Sequence, residues 1–209
     1  MGSVGSTSII LGAIVLSAVM RCAAAGGDDA TFDTLMQPES WASCTYCHGE
    51  RGDIHSPLVP AIAGQSAAYI RKQLDDFREG RRSDPQGMMR SAVALLDPAA
   101  EAEVAAYFAR QPRAASGASS IATAEGGRQL FETAKAGSVA CASCHGRSAA
   151  GAEEATPRLW GLHAGYIAEQ LRRFRAGTRT NDPARVMRQS AQHLSDAEIN
   201  ALALYLDGR

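Results

Sequence analysis

The chain has 209 residues, 45% of them apolar and 21% charged, with a formal net charge of -1. That length builds one ordinary domain or two small ones, and the near-neutral balance leaves no basic surplus for a nucleic-acid partner. Of its five cysteines, four fall into two copies of one spacing and Cys22 lies near the N-terminus, so no disulfide framework remains.

Ile9 to Met20 is a run of about twelve mostly apolar residues, too short to span a bilayer comfortably, and the small residues Ala23-Ala24-Ala25 follow it. Residues 1–25 read as an export leader cleaved after Ala25. No Lys or Arg precedes Ile9 and Arg21 sits beyond the run, so an uncleaved membrane anchor stays open. Arg21 occupies the place where a lipoprotein signal wants a small residue before Cys22.

From residue 26 the first unit opens with Phe32, Leu35 and Met36 at helical spacing, stopped by Pro38. Cys44-Thr45-Tyr46-Cys47-His48 follows, and then a Gly- and Pro-marked stretch from Arg51 to Gly64 that reads as irregular chain. Tyr69, Ile70, Gln73, Leu74 and Phe77 recur with helical period up to Gly80. A basic loop, Arg81-Arg82-Ser83-Asp84-Pro85, leads into Met88-Met89, and an Ala-rich helix over 98–110 closes the unit at about residue 112.

Residues 113–124 read as a linker, and 125–209 as a second unit beginning with a helix in which Gly126 admits a close helix crossing. The second unit repeats the first with a shift of 97 residues from Cys44/Cys141 through Tyr69/Tyr166, Gln73/Gln170, Phe77/Phe174 and Gly80/Gly177. One extra residue in the second basic loop makes the shift 98 from Asp84/Asp182 through Met89/Met187 and Tyr107/Tyr205. A match of this length means a duplicated domain, with no β-rich segment in either copy, and predicts an all-α protein of two tandem domains.

Cys44-x-x-Cys47-His48 and Cys141-x-x-Cys144-His145 carry the chemistry. Two thiols three apart lie on one side of a helical turn and reach the two vinyl groups of one haem, while the following imidazole meets the iron. A structural zinc site needs a fourth protein ligand that neither copy supplies, and a redox dithiol needs a βαβ setting that is absent. The pattern predicts two covalent haem c groups held by Cys44, Cys47, Cys141 and Cys144. A thioether opposite the histidine raises the reduction potential. Met187 is the one Met of the second unit, and the repeat register selects Met89 over Met88 in the first; they stand 42 and 41 residues after His145 and His48. His55, His163 and His193 lack His counterparts and read as surface or packing residues. Pro60 and Pro157 are placed to offer carbonyls to the proximal imidazoles, and Arg81 and Arg179 to face haem propionates.

With these residues in place, and with Gly64-Gln65, Gly80-x-Arg82, the Tyr166 to Gly177 segment and the Leu194 to Tyr205 segment, the chain resembles the two-haem cytochrome c4 family. The resemblance implies two class I cytochrome domains facing each other in a periplasmic electron shuttle between a respiratory donor and a terminal oxidase or reductase, without substrate chemistry of its own. Two other readings stay open: the cytochrome subunit of a periplasmic dehydrogenase complex, and a dihaem enzyme such as a peroxidase. Donor and acceptor would be redox proteins. Residues 26–112 hold 8 Lys+Arg against 13 Asp+Glu, and residues 113–209 hold 12 against 9. An acidic first unit, with Asp75, Asp76 and Glu79 on its face, is thus expected to meet basic partners.

Overall fold

The computed structural model describes residues 1–2, 43–113, 121–135, 138–151 and 156–208, and among them there is helix and no strand. The leader, the segment around Phe32 to Trp41 and most of the linker lie outside the described residues.

In the first unit, α1 is Cys44–His48, α2 is Ala67–Arg78, α3 is Met88–Leu95 and α4 is Glu101–Arg110, the last entered through a 3-10 turn, Pro98–Ala100. The Ser66 hydroxyl caps α2 by accepting the Tyr69 N–H, and Gly80 leaves the helix at φ 73°, a left-handed value that favours glycine. Ile70, Leu74 and Phe77 repeat every three or four residues, so α2 buries one stripe against Val104 and Phe108 of α4 and Val93 of α3. Asp97 caps the 3-10 turn through the Ala99 N–H, doing the work of the Ser-Asp start used in the second unit.

The second unit repeats this with α5 Ile121–Glu132, α6 Cys141–His145, α7 Ala164–Arg175, α8 Val186–Ala191 and α9 Asp196–Asp207. Helix α5 begins inside the stretch whose composition reads as linker. Ser195 and Glu198 form a capping box at the start of α9. α9 packs against α5 and α7, burying Ile199, Leu202 and Leu206 with Phe131 and Ile167. The crossing of α5 and α9 falls on Gly127: a Cβ there would sit inside contact distance of the Ala201 carbonyl and 2.6 Å from Tyr205 Cβ. Gly126, the glycine that sequence favoured, is exposed and has nothing within 4 Å of its Cβ position. The register of the stripe on α9 decides between the two neighbours, and sequence pattern alone does not reach it.

The units meet along α2 and α7. Arg82 donates to Gln73 Oε1 of its own unit (2.7 Å) and to the Tyr166 hydroxyl of the other (2.8 Å). Arg179 does the reciprocal, donating to Gln170 Oε1 (2.8 Å) and to the Tyr69 hydroxyl (3.3 Å). Each guanidinium also lies over a phenylalanine of its own unit, 4.7 Å from the Phe77 centroid and 4.5 Å from that of Phe174. This seam is two-fold in pattern, as the duplication requires.

Asp76 breaks the symmetry. It is 2% exposed, accepts from Lys72 (2.5 Å), Arg81 (2.7 Å) and Asn181 of the second unit (2.6 Å), and its counterpart at 97 residues is Arg173. The expected acidic docking face therefore loses Asp76 to the interface, and only Asp75 and Glu79 remain half-exposed. Gln65 adds a second asymmetric tie, donating to the Arg158 carbonyl (3.1 Å) and accepting its N–H (2.9 Å), where the second unit has Leu162.

Two outcomes follow from this packing. Gly127→Ala should lower unfolding stability by about 1–3 kcal/mol through overpacking, whereas Gly126→Ala should leave it unchanged or raise it by up to about 1 kcal/mol, both read by chemical denaturation. For Asp76, burial by itself would raise the carboxyl pKa, and the hydrogen bonds from Lys72, Asn181 and Arg81 overcome it and hold the pKa below the ordinary 3.8. A depressed carboxyl pKa stabilises the fold above its unfolded value and loses that contribution as pH falls through the folded one. Wild type should therefore exceed Asp76→Asn by about 1–3 kcal/mol at neutral pH, and the gap should close in acid titrations below the unfolded carboxyl range.

Candidate functional site

A helix of five residues has little stability of its own, so each Cys-x-x-Cys-His turn must be held from outside. In both units the tie runs from the histidine to the loop that follows. His48 Nδ1 lies 3.0 Å from the Pro60 carbonyl and His145 Nδ1 lies 3.0 Å from that of Pro157. A carbonyl oxygen only accepts, so Nδ1 carries the proton and Nε2 is left with a free lone pair. Both imidazoles are buried, and burial pushes their pKa below the usual histidine range against the opposing effect of the carbonyl bond. A neutral imidazole with its Nε2 lone pair free and its other nitrogen anchored is what iron ligation requires.

The loop that supplies the carbonyl is built the same way twice. The Gly52 carbonyl accepts from Ile62 N (2.7 Å) and Ala63 N (2.9 Å); 97 residues on, the Ala149 carbonyl accepts from Leu159 N (2.9 Å) and Trp160 N (3.3 Å). Gly52 needs its missing Cβ, which would meet Phe108 Cδ1 at 2.7 Å, and Ala149 holds the same left-handed backbone at φ 54°.

Cys44 and Cys141 are half-buried and pack against the cores of their units, and burial pushes both thiols up. Cys47 and Cys144 are exposed. Met89 is half-buried and packs on the first core, with Cys44 on the same cluster, while Met88 is 51% exposed and turns away. Of the two, Met89 is therefore the one placed beside Cys44. Met89 and Met187 sit in short helices, α3 and α8, just after the loops that lead into them. Asp84 accepts from Met88 N (2.8 Å) and Met89 N (3.2 Å), and Asp182 accepts from Arg188 N (3.0 Å), so each Asp-Pro turn fixes the backbone beside its methionine. Met187 is half-buried on α8.

The remaining histidines stand elsewhere. His55 Nε2 bonds Asp207 Oδ1 (2.8 Å) with its ring 4.7 Å from that of His163, His163 Nδ1 caps α7 through the Gly165 N–H, and His193 is exposed. Arg81 does not match Arg179: it is half-exposed and pairs with Asp76 and Glu79. Its neighbour Arg82 is the structural twin. The seam of Tyr69, Gln73 and Arg82 with Tyr166, Gln170 and Arg179 went unrecognised in sequence, although its signal was present in polar residues retained at matched positions, four apart on a core-facing helix. Arg82 and Arg179 are both buried, and every acceptor they reach is neutral: Gln73, Gln170, Tyr69, Tyr166 and Asn181. Burial, then Arg82 nearby, pushes the Arg179 pKa down. Arg113 is similar, its guanidinium nitrogens buried without a hydrogen-bond partner among the described residues and its pKa pushed down to about 10 by burial and Arg158. Asp76, buried in the same layer, helps support the charge on Arg82, whose pKa is raised, whereas burial disfavours the charge on Arg179 and Arg113, and haem carboxylates have the fitting charge. The donor set, the anchored imidazoles and these cations all fit the group.

The comparisons with known proteins agree with this geometry. The cytochrome c family model matches residues 124–208. Cytochrome c4 of Thiocapsa roseopersicina is 39% identical over 79% of this chain and 86% of its own length. A thiosulfate dehydrogenase electron acceptor of Stutzerimonas stutzeri is 37% identical over 94% of this chain and 92% of its own. The crystal structure of reduced recombinant cytochrome c4 from Pseudomonas stutzeri superposes with a TM-score of 0.73 at 36% identity, covering 80% of this chain and 93% of that one. A helical chain of two repeated Cys-x-x-Cys-His units, related at these levels over most of both lengths, belongs to the cytochrome c4 family: an electron carrier of two cytochrome c domains with two covalently bound haem c groups.

Proposed function

We propose that Cys44 and Cys47 hold the first haem and Cys141 and Cys144 the second, with His48 and Met89, and His145 and Met187, as the axial pairs. The two domains would span 26–112 and 125–209, the second carried back to Ile121 by the start of α5, with the shortened linker between them. The observation that carries this is the matched pair of bonds from His48 to Pro60 and from His145 to Pro157, each 3.0 Å, with equivalent methionines half-buried.

A bound haem c supplies a one-electron iron couple. The chain's own residues anchor each imidazole, fix the backbone beside each methionine through Asp84 and Asp182, and shield the proximal side with apolar cores. Buried imidazole and half-buried thioether donors would leave no iron position open to substrate, which favours a carrier over a peroxidase.

The protein works in the periplasm after export by the leader, passing electrons from a respiratory donor to a terminal oxidase or reductase. A second reading has one specific support. The 37% identical relative is named as the electron acceptor of thiosulfate dehydrogenase, which favours service to a periplasmic dehydrogenase. Sizing the protein in a native periplasmic extract separates a free carrier from a permanent subunit. No helix among the described residues is long and apolar enough to cross a membrane, so membrane association would come through a partner or through the leader.

A pyridine haemochrome assay should give two haems per chain; one would overturn the assignment of both Cys-x-x-Cys-His turns. Met187→Ala and Met89→Ala should each remove part of the far-red thioether-to-iron band and let the ferrous protein bind carbon monoxide. Met88→Ala should leave both irons six-coordinate. Steering of partners is tested separately: reduction by a small basic cytochrome should slow as salt rises over a Debye length of about 10 Å at 0.1 M. That salt dependence should weaken when the half-exposed Asp75 and Glu79 are neutralised.

A further inference from the structure

The duplicated units differ by one residue just before the second Asp-Pro turn. Between Arg82 and Asp84 the first unit has Ser83 alone, while between Arg179 and Asp182 the second has Thr180-Asn181. Asn181 is more tightly engaged with the other unit than any other residue in either loop. Its Nδ2 donates to Asp76 Oδ2 (2.6 Å) and Gln73 Oε1 (2.9 Å), and its carbonyl accepts from Lys72 Nζ (2.8 Å), all three on α2 of the first unit. Its Oδ1 accepts from Arg179 Nε (2.9 Å). The next residue, Asp182, is buried and holds Arg188 through the backbone N–H (3.0 Å) and Nε (2.8 Å), directly after Met187. Polar contacts on Asn181 and, one peptide bond on, Asp182 thus link α2 of the first unit to Arg188, the residue after Met187.

The reverse path is weak. Ser83, the residue before Asp84, is exposed and receives one bond from the second unit, from Arg173 Nη2 at 3.0 Å. Lys72 and Asp76 have as counterparts Glu169, which is exposed, and Arg173, so the clasp cannot be repeated on the other side.

We propose that Asn181 is an interdomain positioning residue that fastens the Met187 segment to the first unit, so that ligation at the second iron depends on domain docking while ligation at the first does not. This rests on the reading of Met187 as an axial ligand. The physical content is a difference in restraint. Leaving the iron requires Met187 to carry α8 and the turn before it away from hydrogen bonds, several of them charge-assisted, that belong to another domain. The segment before Met89 has only the single Arg173 to Ser83 bond across the seam beyond the Arg82 contacts, whose counterparts at Arg179 the second unit also has.

The test uses the dihaem holoprotein with Asn181→Ala, Asp76→Asn and, as control, Ser83→Ala. Proton NMR of the ferrous form gives one upfield methyl signal per iron-bound methionine, assigned with Met89→Ala and Met187→Ala. Carbon monoxide binding kinetics report how readily each methionine leaves. In Asn181→Ala and Asp76→Asn, carbon monoxide should enter the second site about tenfold faster, the factor expected for losing one hydrogen bond to a charged group. The Met187 methyl signal should broaden or weaken, the Met89 signal and rate should hold, and Ser83→Ala should change neither. Asn181→Ala removes no charge and keeps the test available if Asp76→Asn does not fold. Unchanged Met187 kinetics in Asn181→Ala, or equal acceleration at both sites, would overturn the proposal. The ligand reading fails separately, and takes the proposal with it, if Met187→Ala leaves both methyl signals in place.

Discussion

Each functional turn in this protein is a five-residue helix that could not persist alone, and its fixed point is the bond between a proximal imidazole and a loop carbonyl twelve residues away. That bond sets the imidazole tautomer, orients the ring and closes the loop over it. The loop in turn can fold back only because Gly52 and Ala149 adopt left-handed backbone at its hinge. The neighbouring cores, led by Phe108 in one unit and Phe131 in the other, supply the apolar wall. Imidazole orientation, burial and loop shape are therefore one constraint met twice.

Between the units the same duplication creates a different problem. A seam generated by copying brings like residues together, and here it brings two arginines into a buried layer where burial and mutual repulsion act in the same direction on Arg179. Stacking on Phe77 and Phe174 and hydrogen bonds to glutamine and tyrosine reduce that cost without cancelling the charge. One buried anion, Asp76, already stands in this layer and supports the charge on Arg82.

Divergence then made the two halves unequal at the places where they touch. Asp76, Gln65 and Asn181 all make contacts whose mirror image is missing, and all three tie backbone or loop of one unit to the other. An electron carrier with two centres benefits from such ties because the separation of the centres is set by docking rather than by either domain alone. The similarity to relatives extends over 86% and 92% of their own lengths, across both repeated units of this chain.

What the sequence by itself determined is whatever repeats locally. The two Cys-x-x-Cys-His turns, the helical stripes on α2 and α7 and the Pro60 and Pro157 carbonyls follow from spacing and register, which act over one turn or one repeat. What only the tertiary structure decided lies where separate elements meet. Gly127 rather than Gly126 marks the helix crossing, because the face of α9 selects it. Arg82 rather than Arg81 is the partner of Arg179, because one step along the chain turns a side chain from solvent into the seam. Asp76 looks like one of three surface carboxylates beside Asp75 and Glu79, and it is buried because a second copy of the fold lies against it. A charge is exposed or buried according to what covers it, and that cover comes from residues about a hundred positions away.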